Sequence, residues 1–245
     1  MCIVADSARL SKTKIFSYQK SEQTHGFLYS NSAVSEVPDN AMILAIPCKK
    51  QEKVKLFDGT PYKPFLDSFD DLFNISRGGF SESTDIRVEQ VGAYKTSFVN
   101  HAAFEIFCEN CDFMIQEAMF NFLMNQYQGW VFTICEWHGK EPISSQPIHI
   151  EFDTMYRNDL YFPMMDGHTI APQKGNIERD HILGFSTLNH LGFHSNNNSP
   201  ATNKRFDGCK VKEWSKNGDS WINLDENLIE ATLDGRLIKT SFEMP

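Results

Sequence analysis

Cys2 follows the initiator methionine directly, and a cysteine there can do chemistry that a cysteine elsewhere cannot. A small second residue favours removal of the methionine. The thiol is then left beside its own α-amino group, whose unperturbed pKa of about 7.7–8 suits a general base. N-terminal-nucleophile amidohydrolases work this way, with oxyanion donors for which Asn31, Asn40 and Arg9 are generic candidates. The plainer account is a small buried residue at the start of a strand.

A second constellation could hold metal. Cys108 and Cys111 form a CxxC pair, and His190 and His194 lie four residues apart far downstream. Two cysteines and two histidines suffice for tetrahedral zinc. The same CxxC could act as a redox pair if a helix N-terminus followed its first cysteine. Buried, reduced thiols are the competing reading. His190 and His194 lack the intervening glutamate of a zinc protease. Carboxylates are plentiful around His149 and His168, namely Glu151, Asp153, Asp159 and Asp166. On a half-exposed strand such groups are expected to face water. Gly-rich phosphate loops and a serine nucleophile elbow are absent from the sequence.

The composition narrows the partners. A net charge of −9 without a basic block argues against nucleic acid. The lysines at 49, 50, 53 and 55 read as a solvated face. No apolar run approaches the ~20 residues that cross a bilayer. The opening MCIVADSARLSKTK lacks a signal-peptide core, so a cytoplasmic protein with 6 reduced cysteines is expected. Its partner would be a protein or a small molecule, with neither nucleic acid nor membrane involved.

These side chains must be positioned by the elements around them. Alternation marks strands over 12–19, 25–32, 130–137 and 148–152, and the run AMILAI at 41–46 reads as a buried strand. In 148–152 the residues Ile148, Ile150 and Phe152 face in, which sends His149 and Glu151 outward. Both faces of 130–137 are apolar, so that strand belongs inside a sheet. Residues 86–99 and 160–165 read as further strands, and 65–73 has helical spacing. The marked helix is 112–128, with Asp112 as its cap, Gly129 at its left-handed exit and a buried surface on most sides. Asn217-Gly218 and Asp234-Gly235 are hairpin turns, the first pairing Trp214 with Trp221. The reading is an α+β fold: a mostly antiparallel, mixed sheet packed on one long buried helix, with a C-terminal β-hairpin extension. Residues 1–170 form the core, and 171–245 a loop and hairpin extension packed on it as one domain.

Taken in order, Cys2, AMILAIP at 41–47, VEQVGAYKTSF at 88–98, GWVFTICEW at 129–137, QPIHIEF at 146–152 and YFPM at 161–164 carry a resemblance. The chain resembles an uncharacterised, mainly bacterial family of domains of unknown function. There a similar Val-Gly-Tyr strand precedes a helix, a Gly-Trp strand follows it, and a Pro-Ile strand ends in a Tyr/Phe-Pro turn. The resemblance covers about residues 1–170 and transfers no catalytic residue. Its members usually begin with an export signal, which this opening lacks. The functional expectation is a non-catalytic binding or structural module. Its rivals are the Cys2 amidohydrolase and a zinc-stabilised interaction domain built on Cys108, Cys111, His190 and His194.

Overall fold

The computed structural model describes residues 3–72, 94–139, 143, 147–157, 159–163, 181–186, 191–195 and 220–223. After a short strand β1 (Ile3–Val4), two twelve-residue strands, β2 (Ala8–Gln19) and β3 (Thr24–Ser35), form a long hairpin. Its turn is closed by the N–H groups of Lys20 and Ser21, both donating to Thr24 O. The ladder slips between Ser11 and Lys14, where Lys12 takes a φ of 54°, so the strand carries a bulge. Residues on both faces of the hairpin are buried, Phe27 and Tyr29 on one and Phe16, Tyr18 and Leu28 on the other. It therefore lies between layers.

Two sheets share the remaining strands. The first is antiparallel throughout, in the order β1, β4 (Asp39–Ile46), β7 (Val131–His138) and β6 (Lys95–Asn100). The second has six strands. Its order is β11 (Leu191–Ser195), β10 (His181–Ser186), β2, β3, β8 (Ile148–Asp153) and β5 (Val54–Asp58). It is antiparallel except that β10 runs parallel to β2. A short pair, β9 (Asp159–Phe162) with β12 (Ser220–Asn223), completes the strands. The sheets stack on a core that includes Phe27, Tyr29, Ile150 and Phe152 from one and Met42, Leu44, Cys135 and Trp137 from the other. β7 behaves as its two apolar faces require: it is central and buried from Val131 to Trp137.

Helices cover the outer faces. α1 (Lys63–Leu72) lies on the six-stranded sheet, with Phe65 edge-on to Phe16 at 4.9 Å. α2 (Phe104–Asn110) and α3 (Glu117–Gln126) lie on the four-stranded one, the Phe104 ring tilted against Phe132 with centroids 4.5 Å apart. The fold is thus α+β and mostly antiparallel, but its core is sheet on sheet, and the single long helix expected over 112–128 is not formed. Helix begins only at Glu117. The backbone is extended at Gln116, whose N–H donates to Ala5 O and whose side chain donates to Asp6 Oδ1. The first of these takes the backbone N–H that a longer helix would have turned back onto the Asp112 carbonyl, and Asp112 lies outside the helix it was expected to cap. Of α3's side chains only Met119 and Leu123 are fully buried. Gly129 does exit in the left-handed region, at φ 75°.

Asn217-Gly218, Trp214 and Asp234-Gly235 lie outside the described residues. Trp221 of β12 stands opposite Tyr161 of β9.

Candidate functional site

The outer face of the six-stranded sheet holds an enclosed polar network. Across three adjacent strands, Tyr18 lies opposite Gly26 and Gly26 opposite Glu151. Gly26 leaves a gap in that row. A Cβ there would stand 2.5 Å from the end of the Tyr18 ring and 2.8 Å from Ile150 O. The missing side chain lets Tyr18 lie flat across β3 and reach β8. Its hydroxyl donates to Glu151 Oε1 at 2.9 Å and sits 2.7 Å from His149 Nε2. Because that proton goes to the carboxylate, the oxygen accepts from Nε2–H, which fixes the tautomer. Lys20 closes the other side, its ammonium 2.7 and 2.8 Å from the two carboxylate oxygens.

Aromatic rings wall in the imidazole: Phe57 of β5 at 4.9 Å, Tyr62 at 5.3 Å and Tyr18 at 5.9 Å. Tyr62 comes from the 3-10 turn Thr60–Tyr62 that leads into α1. His149 and Glu151 are only 4% and 5% exposed. This corrects the expectation that they face water: the side chains of Phe57 from the neighbouring strand β5, Tyr62 from the turn and Tyr18 lie against the outer face of β8, so His149 and Glu151 bond Tyr18 instead of solvent. Asp153 does reach the surface, 3.6 Å from Lys53 Nζ. Burial holds the His149 imidazolium down to a pKa of about 4, with Lys20 adding to the effect and Glu151 opposing it. Burial, then the Glu151 carboxylate, pushes the Tyr18 phenol far above its usual range. Both groups are therefore locked neutral around pH 7. A general acid or base works best with a pKa near the operating pH, and these are driven away from it.

His25 is a different case. It is fully enclosed beside Phe152, and neither ring nitrogen has a hydrogen-bond partner among the described residues. Burial alone lowers its pKa to about 4.

Cys2 lies outside the described residues, and β1 begins at the next one, with Ile3 and Val4 buried against β4. Of the oxyanion candidates, Asn40 is fully occupied. Its carbonyl accepts from the N–H of Asp6 and Ala41, and its amide donates to Asp6 O, Ser7 O and Ser35 Oγ. It staples the first turn of chain to β4. Asn31 donates toward Tyr29 Oη and accepts from Tyr94.

Cys108 and Cys111 are brought together at the end of α2. The Cys111 thiol donates to Cys108 O at 3.4 Å and to Phe113 O at 3.1 Å. They sit at a helix C-terminus rather than the N-terminus a reactive pair would want. Burial pushes Cys108 up to about 12 and raises Cys111 as well. His190 lies outside the described residues. His194 is on β11, the edge of the six-stranded sheet, whereas the cysteines ride on the four-stranded one. Among the described residues no group of three or more His, Cys, Asp or Glu could hold a metal ion. Asp166 and His168 also lie outside them.

Sequence reasoning missed Tyr18, Lys20, His25, Phe57 and Tyr62. One signal was available: a lone glycine inside the strand pattern, Gly26, marks close approach of another group.

No family model matches the chain, and no curated protein does. Solved structures of baculovirus P35 are similar to it. The crystal structure of P35 superposes with a TM-score of 0.52 at 16% identity, covering 75% of this chain and 67% of that one. The caspase-8/P35 complex gives 0.45 at 17%, over 71% and 63%. A mutated P35 after caspase cleavage, solved at 2.7 Å, gives 0.44 at 16%, over 71% and 65%. The chain thus spans about two thirds of the length of P35, and at this identity the likeness is one of fold.

Proposed function

We propose that the chain is a non-catalytic binding module whose partner is a protein. The observation that carries the non-catalytic half is the closed Tyr18–His149–Glu151–Lys20 network. Tyr18, His149 and Glu151 are joined by hydrogen bonds through the Tyr18 hydroxyl beneath aromatic rings, Lys20 spans the carboxylate from a half-exposed position, and Tyr18 and His149 are held neutral around pH 7. Such an arrangement specifies a fold and offers substrate nothing. The partner class follows the fold analogy: P35 has been solved in complex with caspase-8, so a caspase is the first protein to try.

The test mixes purified full chain with active caspase-8 and follows fluorogenic-peptide hydrolysis, co-elution and the intact mass of the chain. Support is a co-eluting complex or lowered caspase activity. Unchanged hydrolysis at a hundred-fold excess of chain with no co-elution, on the order of Kd above the assay range, defeats the caspase assignment. Hydrolysis of simple amides that Cys2→Ala abolishes would defeat the non-catalytic reading and favour the N-terminal nucleophile. Stoichiometric zinc in chain purified without chelator would favour the zinc-stabilised domain.

A further inference from the structure

Cys108 and Cys111 stand three residues apart across the last turn of α2. At that spacing Cβ atoms on a helix lie about 5–6 Å apart, against the roughly 3.5–4.5 Å of a formed disulfide, so joining the pair requires the last turn of α2 to draw in. The backbone leaves the helix at Cys111, with φ −87° and ψ 159°, and its Sγ lies between the Cys108 carbonyl at 3.4 Å and the Phe113 carbonyl at 3.1 Å. Both side chains are partly exposed, whereas Cys48 and Cys135 are buried. The pair is therefore open to reagent, and only a small inward shift at the end of α2, where the helix already stops, separates it from bonding distance.

We propose that Cys108 and Cys111 form a reversible disulfide, made by exchange with a small-molecule disulfide of the glutathione class, and that this bond rigidifies the elbow between α2 and α3. One thiol gives its proton to solvent and attacks a sulfur of the reagent. The reagent's S–S bond breaks and releases the first small thiol. The second cysteine, deprotonated in turn, attacks the mixed disulfide and releases the second. Two cysteine thiols are oxidised, one reagent disulfide is reduced to two thiols, and the two protons end on them.

The setting shapes rate and consequence. Burial and the helix C-terminus disfavour a thiolate, so exchange is slow at neutral pH. The same absence of a stabilised thiolate leaves the reduced form with no special advantage at equilibrium. The far side of the elbow is already tied down by Gln116 to Ala5 and Asp6. A bond at Cys111 would anchor the near side. Ile106 and Met114, 65% and 75% exposed, stand on either side of it. Oxidation would thus fix how these two apolar side chains are presented.

The experiment treats reduced, native full-length chain with oxidised glutathione, followed by acid quench, alkylation, intact mass and peptide mapping. The expected product lacks two hydrogens, carries its link between Cys108 and Cys111, and reverts with dithiothreitol. It should exceed the doubly glutathionylated species by roughly tenfold, since closure is intramolecular. Hydrogen exchange over 111–116 should slow by roughly tenfold on oxidation. In Cys111→Ser, one glutathione should persist on Cys108. Persistent double adducts, absence of reaction, or linkage to another cysteine overturns the disulfide. A link that leaves exchange over 111–116 unchanged overturns its effect on the elbow.

Discussion

Replacing His25 by leucine should make the protein more stable, and much more so in mild acid. The imidazole is fully enclosed, so leucine of similar volume adds no exposed apolar surface. At pH 7 the gain comes from removing two buried nitrogens that bond nothing, worth about 1–3 kcal/mol. The acid term follows from linkage. The folded pKa is about 4 against 6.5 for the free side chain, so between those values the unfolded chain binds more protons. Stability from the neutral ring is therefore complete above 6.5 and is lost as pH falls toward 4. At pH 5 the loss amounts to about 2 kcal/mol for this one residue. His149, with the same shift, contributes a similar loss in both proteins. Urea unfolding followed by tryptophan fluorescence at pH 7 and pH 5 gives both midpoints and slopes. The parent should lose about 2 kcal/mol more than His25→Leu between those pH values. Equal losses in the two proteins, or a less stable variant at pH 7, would refute the reasoning.

Other substitutions test the surrounding architecture. Tyr18→Phe deletes the hydroxyl that joins His149 to Glu151 and should cost about 1–3 kcal/mol by urea unfolding, with the secondary structure unchanged by circular dichroism. Gly26→Ala drives a methyl group into the Tyr18 ring and the Ile150 carbonyl; thermal unfolding should report a loss of about 1–3 kcal/mol or more. A melting temperature unchanged by that substitution would show that the ring does not need the gap. Asn40→Ala strips the staple from Asp6 and Ser7 and should cost about 3 kcal/mol. Exchange of the Ile3–Ala5 amides, measured by mass spectrometry, should rise more than that of β7.

The strands were the legible part. Alternation in 12–19, 25–32 and 148–152, and the apolar run at 41–46, mark β2, β3, β8 and β4 because side chains on successive residues take opposite faces. The helix at 112–128 was misread because local pattern cannot see Gln116 bonding to Ala5, a partner far back in the chain. His149 and Glu151 illustrate a deeper ambiguity. An outward polar residue has the same period whether it meets water or a second polar layer, and only β5 and the turn before α1 decide between them. Cys108 and Cys111 were visible as a pair, but their place at a helix C-terminus was not. The readings at Cys2, His190 and the Asn217-Gly218 turn fall outside the described residues.

The parallel seam between β10 and β2 has a consequence for how the protein is made. β2 and β3 can pair as soon as both have left the ribosome, since a short turn joins them. The other flank of β2 waits for a strand encoded some three quarters of the way along the chain. Until then a long row of backbone donors and acceptors beside Ile15 and Phe16 has no native neighbour. The young chain thus carries an adhesive border through most of its synthesis. Closing that seam spans a large stretch of sequence and is expected to be among the later folding events. A chaperone that shields strand edges would have its longest opportunity here.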